Sequence, residues 1–196
     1  MKRNSRRILI LMLTVIVTAL LAAFPVSAAS KAKKNQAAVA LYEKKAGKIV
    51  NLEARKYVDI TGDGVKEAIF YYHPKNSGSG RKLVIYTYKK GKIKKILSDG
   101  NYGLIKLIVY KKSKSFIAYG AGHGNEWYRY FKMKNGKYKE AAMKARTDPA
   151  FRKTGWYRTK ITNSPYKGSR KELTVAEFNA AVKGIKKGKK KTVKMF

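Results

Sequence analysis

From Val65 to Thr162 the chain alternates short runs of β-branched and aromatic residues with breaks rich in glycine, asparagine and serine. Val65 to Tyr72, Lys82 to Lys89, Leu104 to Tyr110, Ser115 to Tyr119, Glu126 to Met133 and Trp156 to Thr162 carry the strand signal. Branched and aromatic side chains fit a pleated, half-buried surface, and such runs favour strands for that reason. Between them lie Asn76-Ser77-Gly78-Ser79-Gly80, Ser98-Asp99-Gly100-Asn101 and Gly120-Ala121-Gly122-His123-Gly124. Glycine and asparagine accept the backbone angles that turns need. The pattern predicts a mainly β (α+β) domain of antiparallel β-meanders.

A weak repeat refines that expectation. Tyr88-Lys89-Lys90-Gly91-Lys92-Ile93-Lys94 is echoed by Phe131-Lys132-Met133-Lys134-Asn135-Gly136-Lys137-Tyr138, with the two glycines 45 residues apart. Propeller blades recur at about 40–45 residues. Two copies are too few to close a propeller, so the repeat predicts two blade-like meanders packed together. Helices are expected at both ends. Asn35 to Ala46 has Asn35 as a cap, Ala38, Leu41 and Tyr42 on one face, and Gly47 as a stop. Near the C-terminus, Thr174 and Glu177 form a capping box, Leu173 and Phe178 the staple outside it, and Ala181, Val182 and Ile185 continue the apolar face.

The N-terminus reads as an export signal. Lys2, Arg3, Arg6 and Arg7 precede an apolar run from Ile8 to Phe24, and Val26-Ser27-Ala28 supplies small residues for cleavage. The run is short for a spanning helix, which needs roughly 20 residues, so cleavage is favoured over an uncleaved anchor. The expected division is a signal peptide over 1–28, one secreted domain over 29–185 and a frayed basic tail over 186–196. The tail carries six lysines. No cysteine is present, so the domain must hold by packing, or by packing plus an ion.

Charge narrows the function classes. Lysine and arginine number 46 against 11 aspartates and glutamates, a net +35; without the four signal residues the charge is +31. Solvated surfaces usually interleave both signs. Lysine dominates here, and it acts as a point charge rather than a planar fork. That balance favours attraction to polyanions in general over the reading of a defined sequence.

One segment carries a chemical signature. Asp59-Ile60-Thr61-Gly62-Asp63-Gly64-Val65-Lys66-Glu67 places oxygens at loop positions 1, 3, 5 and 9 and glycine at 6. Calcium takes several hard oxygen ligands on a tightly turned loop. Asp59, Thr61, Asp63 and Glu67 would supply side-chain oxygens and Val65 a carbonyl. The competing reading is a polar turn whose acids are neutralised by nearby lysines. Position 12 is Phe70, which rules out an EF-hand. Asp59 and Asp63 as a hydrolytic pair suit the spacing less well than ion coordination. His123 with Glu126, and His73 before Pro74, read as turn and strand-end residues. Trp127, Tyr128, Tyr130, Trp156 and Tyr157 fit a core-plus-surface alternation better than a stacking platform. No nucleophile elbow, zinc spacing or phosphate loop is present.

The loop, followed at once by Glu67-Ala68-Ile69-Phe70-Tyr71, resembles the calcium-loop β-repeats called FG-GAP or VCBS. The wider layout is similar to a set of uncharacterised secreted proteins of Gram-positive bacteria. Tyr86 to Lys92, Tyr130 to Lys137 and Tyr157 to Phe178 carry that likeness. The resemblance implies an extracellular setting, a link to adhesion or carbohydrate, and calcium at the loop. Thr61 departs from the usual Asp or Asn, and only one loop copy is present. The expected function is a secreted, extracellular or cell-wall-associated, non-enzymatic module for anionic polymers such as teichoic acid or acidic glycan, with one weak calcium loop. The alternatives are an extracellular nucleic-acid-binding protein and a secreted hydrolase with an unidentified site.

Overall fold

The computed structural model describes residues 30–75, 77, 78, 80–101, 103–122, 124–147, 156–160 and 170–196. The signal segment and His123 lie outside the described residues, as do the side chains of Trp156 and Tyr157. The chain divides into two compact units, Met1–Ala37 and Ala38–Phe196, and the strands among the described residues belong to the second. Helix α1 covers residues 30–46. There follow β1 (Leu52–Val58), β2 (Glu67–Tyr72), β3 (Arg81–Lys89), β4 (Lys92–Asn101), β5 (Leu104–Tyr110), β6 (Ser115–Gly122) and β7 (Asn125–Lys134). The remainder is β8 (Lys137–Thr147), β9 (Trp156–Lys160), β10 (Arg170–Leu173), α2 (Val175–Val182) and β11 (Lys190–Lys194).

The strands form two antiparallel sheets. One runs β1-β2-β3-β4; the other runs β10-β9-β8-β7-β6-β5-β11. Both copies of the sequence repeat are two-residue hairpins. Lys90 and Gly91 have φ of 52° and 77°, and Asn135 and Gly136 have 51° and 70°. Positive φ at both central residues gives the turn twist that matches paired strands. Each sheet has a linear strand order, and the mainly β, two-helix expectation holds.

Burial explains the layering. A cluster containing Ile69, Tyr71, Leu83, Ile85, Leu107, Val109, Phe116 and Phe131 draws on both sheets. The opposite side of β2 sends Ala68 and Phe70 against Ala38, Tyr42 and Ala46 of α1. The outer side of the larger sheet sends Tyr110, Ile117 and Tyr130 against Phe178 of α2. Strand β2 is therefore covered on both faces, and Glu67–Tyr71 is buried without alternation.

Three differences from the sequence reading have physical causes. Ser98-Asp99-Gly100-Asn101 is strand, because Leu83, Lys82 and Arg81 of β3 pair with Asp99, Gly100 and Asn101; cross-strand pairing overrides weak local turn propensity. Gly120 lies within β6 opposite Trp127, and a Cβ on it would come 2.5 Å from the indole Nε1. The glycine there makes room for a ring rather than a bend. The expected basic tail is a correction: Lys190–Lys194 is β11, paired antiparallel with Tyr110–Lys106 of β5. Its lysines are exposed, whereas Val193 is 7% exposed and Met195 2%, both in the inter-sheet core. The Met195 amide also donates to the Ile105 carbonyl at 3.0 Å.

Truncating Met195 empties a filled position in that core. Met195→Ala should lower unfolding free energy by roughly 2–5 kcal/mol. Chemical denaturation of parent and variant measures this, and an unchanged midpoint would mean the terminal residues fray after all.

Candidate functional site

The acidic loop connects β1 to β2, and its carboxylates are engaged by the protein itself. Gly62 and Gly64 take φ of 78° and 85°, which lets the chain double back. Asp59 Oδ1 accepts from the Gly62 amide at 2.7 Å, and Asp59 Oδ2 accepts from Lys111 Nζ at 2.7 Å. Asp63 Oδ1 accepts from the Val65 amide at 2.8 Å. Glu67 is fully buried. Its Oε2 accepts from the amides of Ile60 at 2.7 Å and Thr61 at 3.2 Å. Its Oε1 accepts from the hydroxyls of Thr61 at 3.1 Å and Thr87 at 3.0 Å.

Thr61 and Glu67 meet, whereas Asp59 and Asp63 are engaged elsewhere. Glu67 faces inward to the loop's own amides, Asp59 faces Lys111, and Asp63 closes its own turn. Among the described residues, no three His, Asp or Glu side chains come together to hold a metal ion. Calcium at Asp59, Thr61, Asp63, Val65 and Glu67 would compete with Lys111 for Asp59 and with the amides for Glu67. The other candidates are similarly occupied. Glu126 accepts from the Tyr119 hydroxyl at 3.1 Å, the His73 ring meets the Gly78 carbonyl, and the Tyr130 ring stands edge-on to Phe178 at 5.4 Å.

A groove of about 930 Å³ lies where β4 meets the β7–β8 hairpin. Lys95, Ile96, Leu97 and Ser98 form one wall, and residues 132–135 and 137–141 form the rest. Five of these side chains are lysines: Lys95, Lys132, Lys134, Lys137 and Lys139. In the hairpin, Lys132 stands opposite Lys139, and Lys134 opposite Lys137. Like charges directly opposed across strands are destabilising. Lys132 relieves part of this by donating to the Ala181 carbonyl at 2.8 Å.

The groove's one acid, Glu140, is withdrawn from those lysines. Arg129 is 4% exposed. Its Nε donates to Glu140 Oε2 at 2.7 Å, a terminal nitrogen pairs with Asp99, and the other donates to the Gly100 carbonyl at 2.6 Å. Asp99 and Gly100 lie on β4, Arg129 on β7 and Glu140 on β8. One guanidinium thus pins the two sheets together beside the groove. Sequence reasoning missed it, although a charge sharing the strand parity of the core residue Phe131 was the available signal.

Tyr138 also lines the groove. It is 3% exposed, and its hydroxyl is the one buried side-chain polar atom, among the described residues, without a hydrogen-bond partner. Burial, and then the charges of Glu67 and Asp59, push the phenol well above its ordinary range.

Compared with family models, curated proteins and solved structures, the chain matches none of them. Among the described residues no helix is long and apolar enough to cross a membrane.

Two outcomes follow from this chemistry. Burial raises the Glu67 carboxyl above its ordinary value, against the opposing pull of its hydrogen bonds from Ile60, Thr61 and Thr87. The folded chain then holds this proton more tightly than the unfolded chain. Stability tied to Glu67 is greatest at low pH and falls as pH rises from the ordinary glutamate range through the raised value. Glu67→Gln keeps an acceptor for the two amides and removes the titration. The stability of the variant relative to the parent should climb across that window, as measured by thermal unfolding at stepped pH. A flat difference refutes the raised value. Separately, Tyr138→Phe removes an unpaired buried hydroxyl and should stabilise by roughly 1 kcal/mol. A melting temperature that falls would show that the hydroxyl has a partner in solution.

Proposed function

We propose that this chain is an exported, non-enzymatic, strongly basic module that binds anionic polymers outside the cell, with teichoic acid or acidic glycan ahead of nucleic acid. The observation that carries this reading is where the acids go. Glu43, Glu53, Asp59, Asp99 and Glu140 are paired with Arg55, Arg81, Lys111 and Arg129, and all but Asp59 choose arginine. Glu67 is buried, and Glu177 is held in the capping box of α2. With only 11 acids in the chain, the lysine surface keeps little internal countercharge. Such a field concentrates polyanions around it.

Export rests on the charged, apolar and small-residue order of residues 2–28. The preference for cell-surface polymers over nucleic acid rests on lysine's lack of geometric selectivity combined with that export. The β1–β4 meander has the strand order of a single propeller blade, which supports the likeness to extracellular β-repeats.

Binding should release condensed counterions, so affinity falls steeply with salt, with a log–log slope of about −0.9 per phosphate neutralised on duplex DNA. Retention on heparin, teichoic acid and DNA across a salt gradient measures it. Retention past physiological salt on the glycan or teichoic acid is expected. Elution from all three at physiological salt overturns the reading, and retention on DNA alone selects the nucleic-acid alternative.

A further inference from the structure

The groove is bounded by strand edges rather than strand faces. A sheet face presents alternate residues, because successive side chains point to opposite sides. Here the lining residues of β4 are consecutive, Lys95-Ile96-Leu97-Ser98, and those at the start of β8 are consecutive as well. Strand β4 is the last of its sheet, so its side away from β3 has no strand among the described residues. Strand β8 pairs with β9 only over Met143–Ala145. Lys137 to Lys139 therefore have β7 on one side and no described strand on the other.

We propose that this cleft is a docking site for an extended acidic peptide segment, which adds to the open edge of β4 as a further strand. An open edge offers a row of backbone donors and acceptors, and an extended segment that satisfies them gains main-chain hydrogen bonds. Two features select the occupant. The register between β3 and β4 skips at Ile96, where Tyr86 pairs with Lys95 and Ile85 with Leu97. That bulge turns both Ile96 and Leu97 into the core, at 3% and 6% exposure, and leaves Lys95 outside. The accessible rim is then Lys95, Lys134, Lys137 and Lys139, all exposed.

Lysines on an edge strand also guard against aggregation, and here the two roles agree. A second copy of so basic a chain is repelled from this edge, and an apolar strand gains no charge attraction there. A segment with acidic side chains at alternate positions, roughly 6.5–7 Å apart, is attracted. Backbone pairing sets this site apart from the polymer reading, since a glycan or polyphosphate brings no peptide edge. The proposal does not depend on that reading.

The test uses a labelled decapeptide alternating glutamate with valine, and the same peptide N-methylated at alternate backbone positions. Both carry the same charge. Anisotropy is read against the full chain at about 0.15 M ionic strength, where charges are screened beyond about 8 Å. The plain peptide is expected to bind, and the methylated one at least about tenfold more weakly, because it loses its edge donors. Lys95→Glu with Lys137→Glu, both exposed and so compatible with folding, should weaken the plain peptide by a similar factor while leaving heparin retention largely in place. Equal binding of the two peptides, or no binding of either, overturns the proposal. So does undiminished binding by the double variant. Loss of heparin retention in the parent chain would sink the polymer reading alone.

Discussion

The Arg129 guanidinium, buried between the two sheets, is the interaction on which the arrangement depends. It reaches Asp99 and the Gly100 carbonyl on β4 and Glu140 on β8, and it stacks over Phe131 at 5.3 Å. A buried cation is tolerated only when its donors are met and its charge is balanced. Two carboxylates from different sheets meet that requirement together, and neither sheet alone supplies both. Arginine's planar fork engages several acceptors at once, which lysine's point charge does not reproduce. Holding β4 beside the start of β8 leaves a common groove between them.

The same logic orders charge across the molecule. Acids are scarce, and several of them do local structural work. Glu67 gathers the amides of Ile60 and Thr61 and the hydroxyls of two threonines. Glu177 closes the capping box with Thr174. Glu43 takes both Arg55 and the Tyr57 hydroxyl, fixing the end of α1 against β1. Lysines take the positions left over, on hairpin turns and on the outward sides of edge strands such as β11. Internal order and a strongly basic exterior are thus one solution to having few acids.

The loop before β2 illustrates how closely its two readings compete. Acids, hydroxyls and glycines in tight spacing suit a cation and suit a self-closed turn equally well. The oxygens already have donors within the fold: Lys111 arrives from 52 residues away to meet Asp59. A largely apolar β2 strand, buried without alternation from Glu67 to Tyr71, requires Glu67 to be satisfied from within.

Local pattern determined much of this protein. The strand runs, the Gly91 and Gly136 hairpins, the Thr174 capping box and the excess of lysine are all legible in sequence, because turn angles, caps and net charge depend on neighbours only a few residues apart. Pairing partners are not. Asp99 and Gly100 read as a turn until β3 lies alongside them, and residues 190–194 read as a solvated tail until β5 offers an edge that takes Val193 and Met195 into the core. Arg129 reads as one cation among 46 until two sheets bring Asp99 and Glu140 to it. Those outcomes depend on contacts between residues far apart in the chain, whose burial is a property of the assembled layers and of no single segment.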